Sequence, residues 1–139
     1  MPQKNREFRF LPHTADIMFE AYGTSFANCL EASAFAIFDV IGKAKSGKEE
    51  VEISESAAKS KDELVVFVLS KIVSNIDSHE MLPYDFKVTQ FDEKTLNFKG
   101  TLFLGEGFPK DHIKAVTFGN LEVEHARSGK WRMQVLLDI

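Results

Sequence analysis

Near the start of the chain, two apolar runs flank a short polar segment. The residues from Glu7 to Asp16 and from Ile17 to Tyr22 have the aromatic and β-branched content typical of strands, and Gly23 ends the second run. The segment His13-Thr14-Ala15-Asp16 carries an imidazole, a hydroxyl and a carboxylate in a connection too short to be flexible. This pattern predicts a tight turn between two strands, where the scaffold fixes the directions of polar side chains.

The next segment has the spacing of a helix. Its apolar residues recur every three or four positions up to about Ile41. Thr24 or Ser25 is placed to cap its start, and Gly42 is placed to end it.

A second helix is predicted from Asp62 to about Asp77. Ser60 and Glu63 fit the capping-box pattern, in which two side chains satisfy backbone N–H groups at the helix start. The segment is apolar almost all round and rich in β-branched residues, which would also suit a strand. Its length of about sixteen residues decides for a helix, because a typical strand has only about five or six.

The remaining chain alternates between apolar and polar residues, which is the pattern of half-buried strands. Gly119-Asn120 interrupts one of these runs, and Gly105 to Asp111 predicts a mobile polar loop. The strand-like runs are Val51 to Ser54, Phe86 to Phe91, Leu96 to Leu104, Ile113 to Phe118, Leu121 to His125 and Trp131 to Asp138.

The order β-β-α-β-α-β-β-β-β predicts an α+β fold. We expect two layers, with two helices packed on a mostly antiparallel or mixed β-sheet. A chain of 139 residues is long enough for one core, so residues 1–139 are expected to form a single domain.

Composition and charge narrow the class of protein. Cys29 is the single cysteine, which excludes an internal disulfide and a cysteine-based zinc site. No apolar run approaches the ~20 residues that cross a bilayer, and the basic N-terminus leads into a strand rather than a signal peptide. We therefore expect a cytoplasmic protein with no membrane partner. The formal net charge of −4 argues against strong direct binding of nucleic acid.

Two acidic features that are far apart in sequence are candidates for one site. If the last strand lies beside the first hairpin, Asp16, Asp138 and the terminal carboxylate of Ile139 can converge. Carboxylates ~5 Å apart repel by roughly 3 kcal/mol per pair at an effective dielectric near 20, so a cation would hold them together. Hard oxygen ligands suit Ca²⁺ or Mg²⁺, with water or backbone carbonyl groups completing the coordination. The alternative is that these side chains are simply solvated.

Two further residues could serve the same site. His13 is either a turn residue bonded to nearby backbone, a support for a metal ligand, or a contact to a partner. Lys114 is either a solvated strand residue or, beside an anionic metal site, a group that binds a phosphate or a partner's carboxylate. No Ser/His/Asp or Cys/His arrangement and no glycine-rich phosphate loop is present in the pattern, so nothing specifies a nucleophile.

Five motifs of this chain resemble the archease family, in family order and at family-like intervals. The His-Thr-Ala-Asp tetrad together with an Asp-Ile end is a specific combination. The motifs are Phe10-Leu11-Pro12-His13-Thr14-Ala15-Asp16, Ala21-Tyr22-Gly23-Thr24, Asp62-Glu63-Leu64, Lys114-Ala115-Val116-Thr117-Phe118 and Val135-Leu136-Leu137-Asp138-Ile139.

The resemblance implies a small accessory protein that is not itself an enzyme. Archeases activate the RNA ligase of tRNA splicing, which joins 3′-phosphate or cyclic-phosphate ends to 5′-hydroxyl ends. They promote guanylylation of the ligase, support its multiple turnover and broaden the nucleoside triphosphates that it accepts. The family's metal site maps onto Asp16, Asp138 and Ile139, with Ca²⁺ as the usual ion and Mg²⁺ or Mn²⁺ as alternatives. Its functional lysine maps onto Lys114.

Two positions depart from the family pattern. Pro12 stands where the residue before His13 is often acidic, so an additional oxygen that could serve as a ligand is absent here. Phe118-Gly119 stands where Tyr-His often follows Thr117, so the role of that hydroxyl or imidazole is not carried over. Neither departure touches the mapped metal residues.

Two other functions remain as hypotheses. In a metal-dependent phosphoesterase or nuclease, Asp16, Asp138 and His13 would surround an ion that activates water. A general chaperone would instead show an exposed apolar patch and no metal dependence. Nothing in the sequence favours one oligomeric state over another.

Overall fold

The computed structural model describes residues 6–13 and 15–139, so residues 1–5 and Thr14 of the polar turn lie outside the described residues. The elements follow the order expected from the sequence, which confirms the α+β class. In chain order they are β1 (Glu7–Leu11), β2 (Ile17–Gly23), α1 (Phe26–Ile41), β3 (Glu49–Glu55), α2 (Lys61–His79), β4 (Leu82–Phe91), β5 (Phe98–Gly105), β6 (Ala115–His125) and β7 (Trp131–Asp138).

The strands form two antiparallel sheets rather than one. The first has the strand order β1-β2-β7-β6, and the second has the order β3-β5-β4. Every pairing within them is antiparallel. Alternation along a strand indicates which side chains are buried but not which strands pair, so the division into two sheets was not visible in the pattern.

Both helices contact strands of both sheets, which accounts for their wide apolar surfaces. α1 lies against β2 and β4, and α2 lies against β6 and β3. The buried apolar side chains form one continuous cluster. The all-round apolar character of α2 therefore serves contacts on two sides. Within the described residues, neither helix is long and apolar enough to cross a membrane.

Side-chain caps set the starts of both helices, as predicted. The Ser25 hydroxyl accepts a hydrogen bond from the Asn28 N–H (3.0 Å), and the Ser60 hydroxyl accepts one from the Glu63 N–H (3.1 Å). The Glu63 carboxylate reaches back to accept from the Lys59 N–H (2.9 Å). These bonds satisfy donors that have no partner inside a helix.

Some strands begin or end at other residues than the sequence predicts, and the reason lies in the backbone. β1 ends at Leu11 rather than Asp16, because Pro12 has no N–H to donate to the ladder. The expected interruption at Gly119-Asn120 is an irregularity inside one strand, β6, where the pairing with β7 shifts register. Leu96 belongs to the β4–β5 turn, in which its φ is 60°.

Candidate metal and partner site

The ends of β2, β7 and β6 bring the predicted residues to one pole of the molecule. β7 lies between β2 and β6, so the last strand does lie beside the first hairpin. Ile17 is opposite Leu137 in the pairing of β2 with β7. The next residue on each side of this pair is Asp16, in the bend before β2, and Asp138, the last residue of β7. Asp16 and Asp138 each adjoin the Ile17–Leu137 pair in sequence, so the fold brings these two residues to the same end of the first sheet.

Asp138 lies on the face of the first sheet that points away from the core, and Asp16 lies in the bend before β2. In β7, Leu137 is buried in the core, whereas Leu136 and Asp138 point to the opposite side. Met18 pairs with Leu136 and lies on that same side, two residues after Asp16. Asp16 is half-buried and Asp138 is exposed. We call Asp16, Asp138 and the terminal residue Ile139 the acidic pole.

Lys114 lies directly beside the acidic pole. Its backbone N–H donates a hydrogen bond to the carbonyl oxygen of Asp138 at 2.8 Å. Ala115 is paired with Asp138, and the same register carries Lys114 to Ile139. The Lys114 side chain is exposed. Lys114, the residue before β6, therefore adjoins Asp138 of β7 and lies at the same end of the sheet as Asp16, although nearly a hundred residues separate Lys114 from Asp16 along the chain.

A groove of about 510 Å³ opens beside Asp16, and we call it the pole groove. His13 is exposed and lines this groove, which places it next to Asp16 rather than in the core. Asp39, Lys110 and Asp111 line it as well. Sequence reasoning missed these three residues because they come from the end of α1 and from a distant loop, and no spacing connects them to the tetrad.

The donor chemistry of the acidic pole suits a hard cation. Asp16, Asp138 and the terminal carboxylate of Ile139 offer oxygen atoms, which Ca²⁺ and Mg²⁺ prefer. Within residues 6–13 and 15–139, no three His, Cys, Asp or Glu side chains are close enough to hold a metal ion. An ion at this pole would therefore need the terminal carboxylate, backbone carbonyl groups or water in addition to the two aspartates.

A charged network on the same face connects the strands that carry the pole. Glu20 in β2 accepts hydrogen bonds from Arg9 of β1 (2.7 Å) and from Tyr22 (2.9 Å). It also accepts one from Arg132 of β7 (2.6 Å), which donates in turn to Glu124 of β6 (2.8 Å). Burial by itself would raise the pKa of Glu20. The hydrogen bonds from Arg9 and Tyr22 and the two guanidinium charges outweigh burial, so this pKa is lowered.

The fold and the candidate site together place this chain among small α+β proteins. Its candidate site residues lie at the ends of strands of the first sheet. The model of the archease protein family matches residues 8–139. The archease of Methanosarcina acetivorans is 32% identical, with all of both chains covered. The archease of Pyrococcus furiosus is 32% identical over 96% of this chain and 99% of its own. The chain belongs to the archease family.

Solved structures share the same fold. The solution structure of a Methanobacterium thermoautotrophicum protein has a TM-score of 0.71 and 28% identity, and the match covers 95% of this chain and 98% of the other. A Thermotoga maritima archease, described as a possible chaperone, has a TM-score of 0.69 and 22% identity over all of this chain and 98% of its own. The second likeness concerns the fold alone.

Proposed function

We propose that this chain is a non-catalytic accessory factor that activates the RNA ligase of tRNA splicing. In this role it promotes guanylylation of the ligase, supports multiple turnover and broadens the nucleoside triphosphates that the ligase accepts. Family membership supports an accessory role. The pairing of Ile17 with Leu137 carries the proposal, because Asp16 and Asp138 adjoin this pair in sequence and the family's functional site maps onto these two residues.

The charge of the chain supports a basic protein as the partner. Its formal net charge is −4, and an acidic factor can approach an RNA-binding enzyme without competing for the phosphates of the RNA. Lys114 lies beside the acidic pole, where its ammonium group can bind a phosphate or carboxylate of the complex. A Ca²⁺ ion bound at the acidic pole would neutralise its carboxylates and add a positive centre.

The test is ligase guanylylation measured with purified ligase and variants of this chain. Asp16→Ala, Asp138→Ala and Lys114→Ala should each reduce the stimulation by about tenfold or more, because each removes a charged contact. Glu52→Ala is the matched control, since Glu52 is exposed on β3 in the other sheet. Full stimulation by all three folded variants would contradict the proposal. Metal-dependent hydrolysis of phosphodiesters by the chain alone, lost in Asp16→Ala, would favour an enzyme instead.

A further inference from the structure

A second groove of about 360 Å³ lies between the end of α2 and the loop that joins β5 to β6. We call it the loop groove. Its apolar lining includes Ile41, Ile76 and Ile113, which are buried, and Met81, which is partly buried. An apolar floor that is open to solvent is the usual feature of a site that receives an apolar group.

Phe108 stands at the wall of this groove and is 93% exposed. Burying a Phe side chain is worth roughly 1.5–3 kcal/mol, so leaving one in water forgoes stability that the fold could have used. Single exposed apolar residues are common, but this one adjoins an apolar groove, and the two together form a patch.

The loop holds Phe108 in this position from both sides. A Cβ at Gly107 would lie 2.2 Å from Leu82 Cδ1, so the backbone before Phe108 is packed directly on the protein. After Phe108, the Lys110 N–H donates to the Ile41 carbonyl oxygen at the end of α1 (2.6 Å). The sequence predicts a mobile polar loop here, whereas the structure shows a loop anchored on both sides of an exposed aromatic ring.

The rim of the loop groove is acidic. Among the described residues that line it, Asp77, Glu80 and Asp111 are carboxylates, and the basic group is His112. His112 Nδ1 lies 3.7 Å from an oxygen of Asp77. The rim therefore favours a ligand that carries positive charge around an apolar group.

The loop groove adjoins the pole groove. Asp111 lines both of them. Phe10, which is 41% exposed, lines the pole groove. A partner bound at the acidic pole would therefore be able to contact the loop groove as well, because the two sites are adjacent.

We propose that the loop groove binds a segment of the partner protein in which a large apolar side chain is flanked by lysine or arginine. Phe108 packs against that side chain, and the acidic rim pairs with the flanking charges. Identifying the partner as the RNA ligase rests on the proposed function. The loop groove supplies affinity, whereas the acidic pole supplies the stimulation.

The first experiment measures the affinity of purified ligase for variants of this chain by calorimetry. Phe108→Ala should bind about tenfold more weakly, as expected for loss of an aromatic anchor, yet should reach full guanylylation at saturating concentration. Phe118→Ala, which alters a Phe that is 54% exposed on β6, should bind like the wild type. Glu80→Lys should weaken binding, and Glu52→Lys, with the same change in charge, should not.

Unchanged affinity of Phe108→Ala would overturn the loop-groove proposal and leave the role of the acidic pole standing. If the ligase does not bind the wild type, a second experiment decides. Amide NMR spectra of the ¹⁵N-labelled chain are recorded with a short synthetic peptide containing Leu-Phe between lysines, and with the same peptide flanked by glutamates. Shifts at residues 76–81 and 105–113 with the lysine peptide alone would support the loop groove, and no shifts with either peptide would overturn it. A dimer in sedimentation velocity that Phe108→Ala abolishes would also overturn it, because the occupant would be a second copy.

Discussion

At the scale of single residues, Glu20 connects three of the four strands in the first sheet. It is only 8% exposed and accepts hydrogen bonds from Arg9 of β1 and Arg132 of β7. A buried carboxylate is costly without donors, but the guanidinium groups and Tyr22 satisfy both of its oxygen atoms. The charge on Glu20 therefore stabilises the strands that carry the acidic pole.

Glu20→Gln should lower the free energy of unfolding by about 2 kcal/mol at neutral pH, because it removes charge-assisted hydrogen bonds. Folding lowers the pKa of Glu20, so its contribution is complete above the unfolded-state value of about 4.3 and is lost as the pH falls through the lower folded value. Urea unfolding at several pH values should show the two proteins converging below about pH 4. Glu52→Gln, altered at an exposed position, should follow the wild type. A difference that stays constant with pH would rule out this role.

The residues of the site differ in how well their placement could be predicted from the sequence. Asp138 ends the clear apolar alternation of β7, so the face of the strand on which it lies could be predicted, whereas Asp16 lies in a bend between two strands. Asp39 and Asp111 are exposed acidic residues in a helix and a loop, and only the packing of these elements brings them to the pole groove. A Phe is usually found in the core, so the sequence pattern does not indicate that Phe108 is exposed. Its exposure depends on where Gly107 and Lys110 anchor the loop.

At the scale of elements, the helix ends depend on local bonds. The Ser60 hydroxyl caps α2, whose side chains contact both β6 and β3. The start of this helix is therefore coupled to the packing of both sheets.

Ser60→Ala should reduce the free energy of unfolding by about 1 kcal/mol, because the Glu63 N–H loses its acceptor. Ser74→Ala is the control, since Ser74 is an exposed residue inside the same helix and should change stability by less than about 0.5 kcal/mol. Thermal and urea unfolding of both variants would measure the difference. Equal stability of the two variants would mean that the cap does not hold the helix.

The ends of the helices could be predicted because their sequence signals are local. The arrangement of the strands in sheets could not, because it depends on which strands pair. Ser25, Ser60 and Gly42 mark the helix ends, and the structure places them there. The two sheets depend on which strands meet across long stretches of chain, and alternation carries no information about that choice. For the same reason, the irregularity in β6 looked like a break until its pairing with β7 was known.

At the scale of the whole molecule, chain topology assembles the acidic pole. β7 lies between β2 and β6, so the end of the chain meets the first hairpin and the start of β6 at one place. The pole groove and the loop groove open beside one another there and share Asp111. The surface that we propose for affinity therefore lies next to the acidic pole, which we propose acts on the partner.

The central proposal is that the acidic pole holds a divalent cation with the help of the terminal carboxylate of Ile139. Calorimetric titration with Ca²⁺ tests it directly on the unmodified chain, on a chain with a tag after Ile139 and on a chain with the same tag before Met1. A tag after Ile139 converts the carboxylate to an amide, so that protein should bind Ca²⁺ at least about tenfold more weakly, while the N-terminally tagged chain should match the unmodified one. Equal Ca²⁺ affinity in all three proteins would contradict the account.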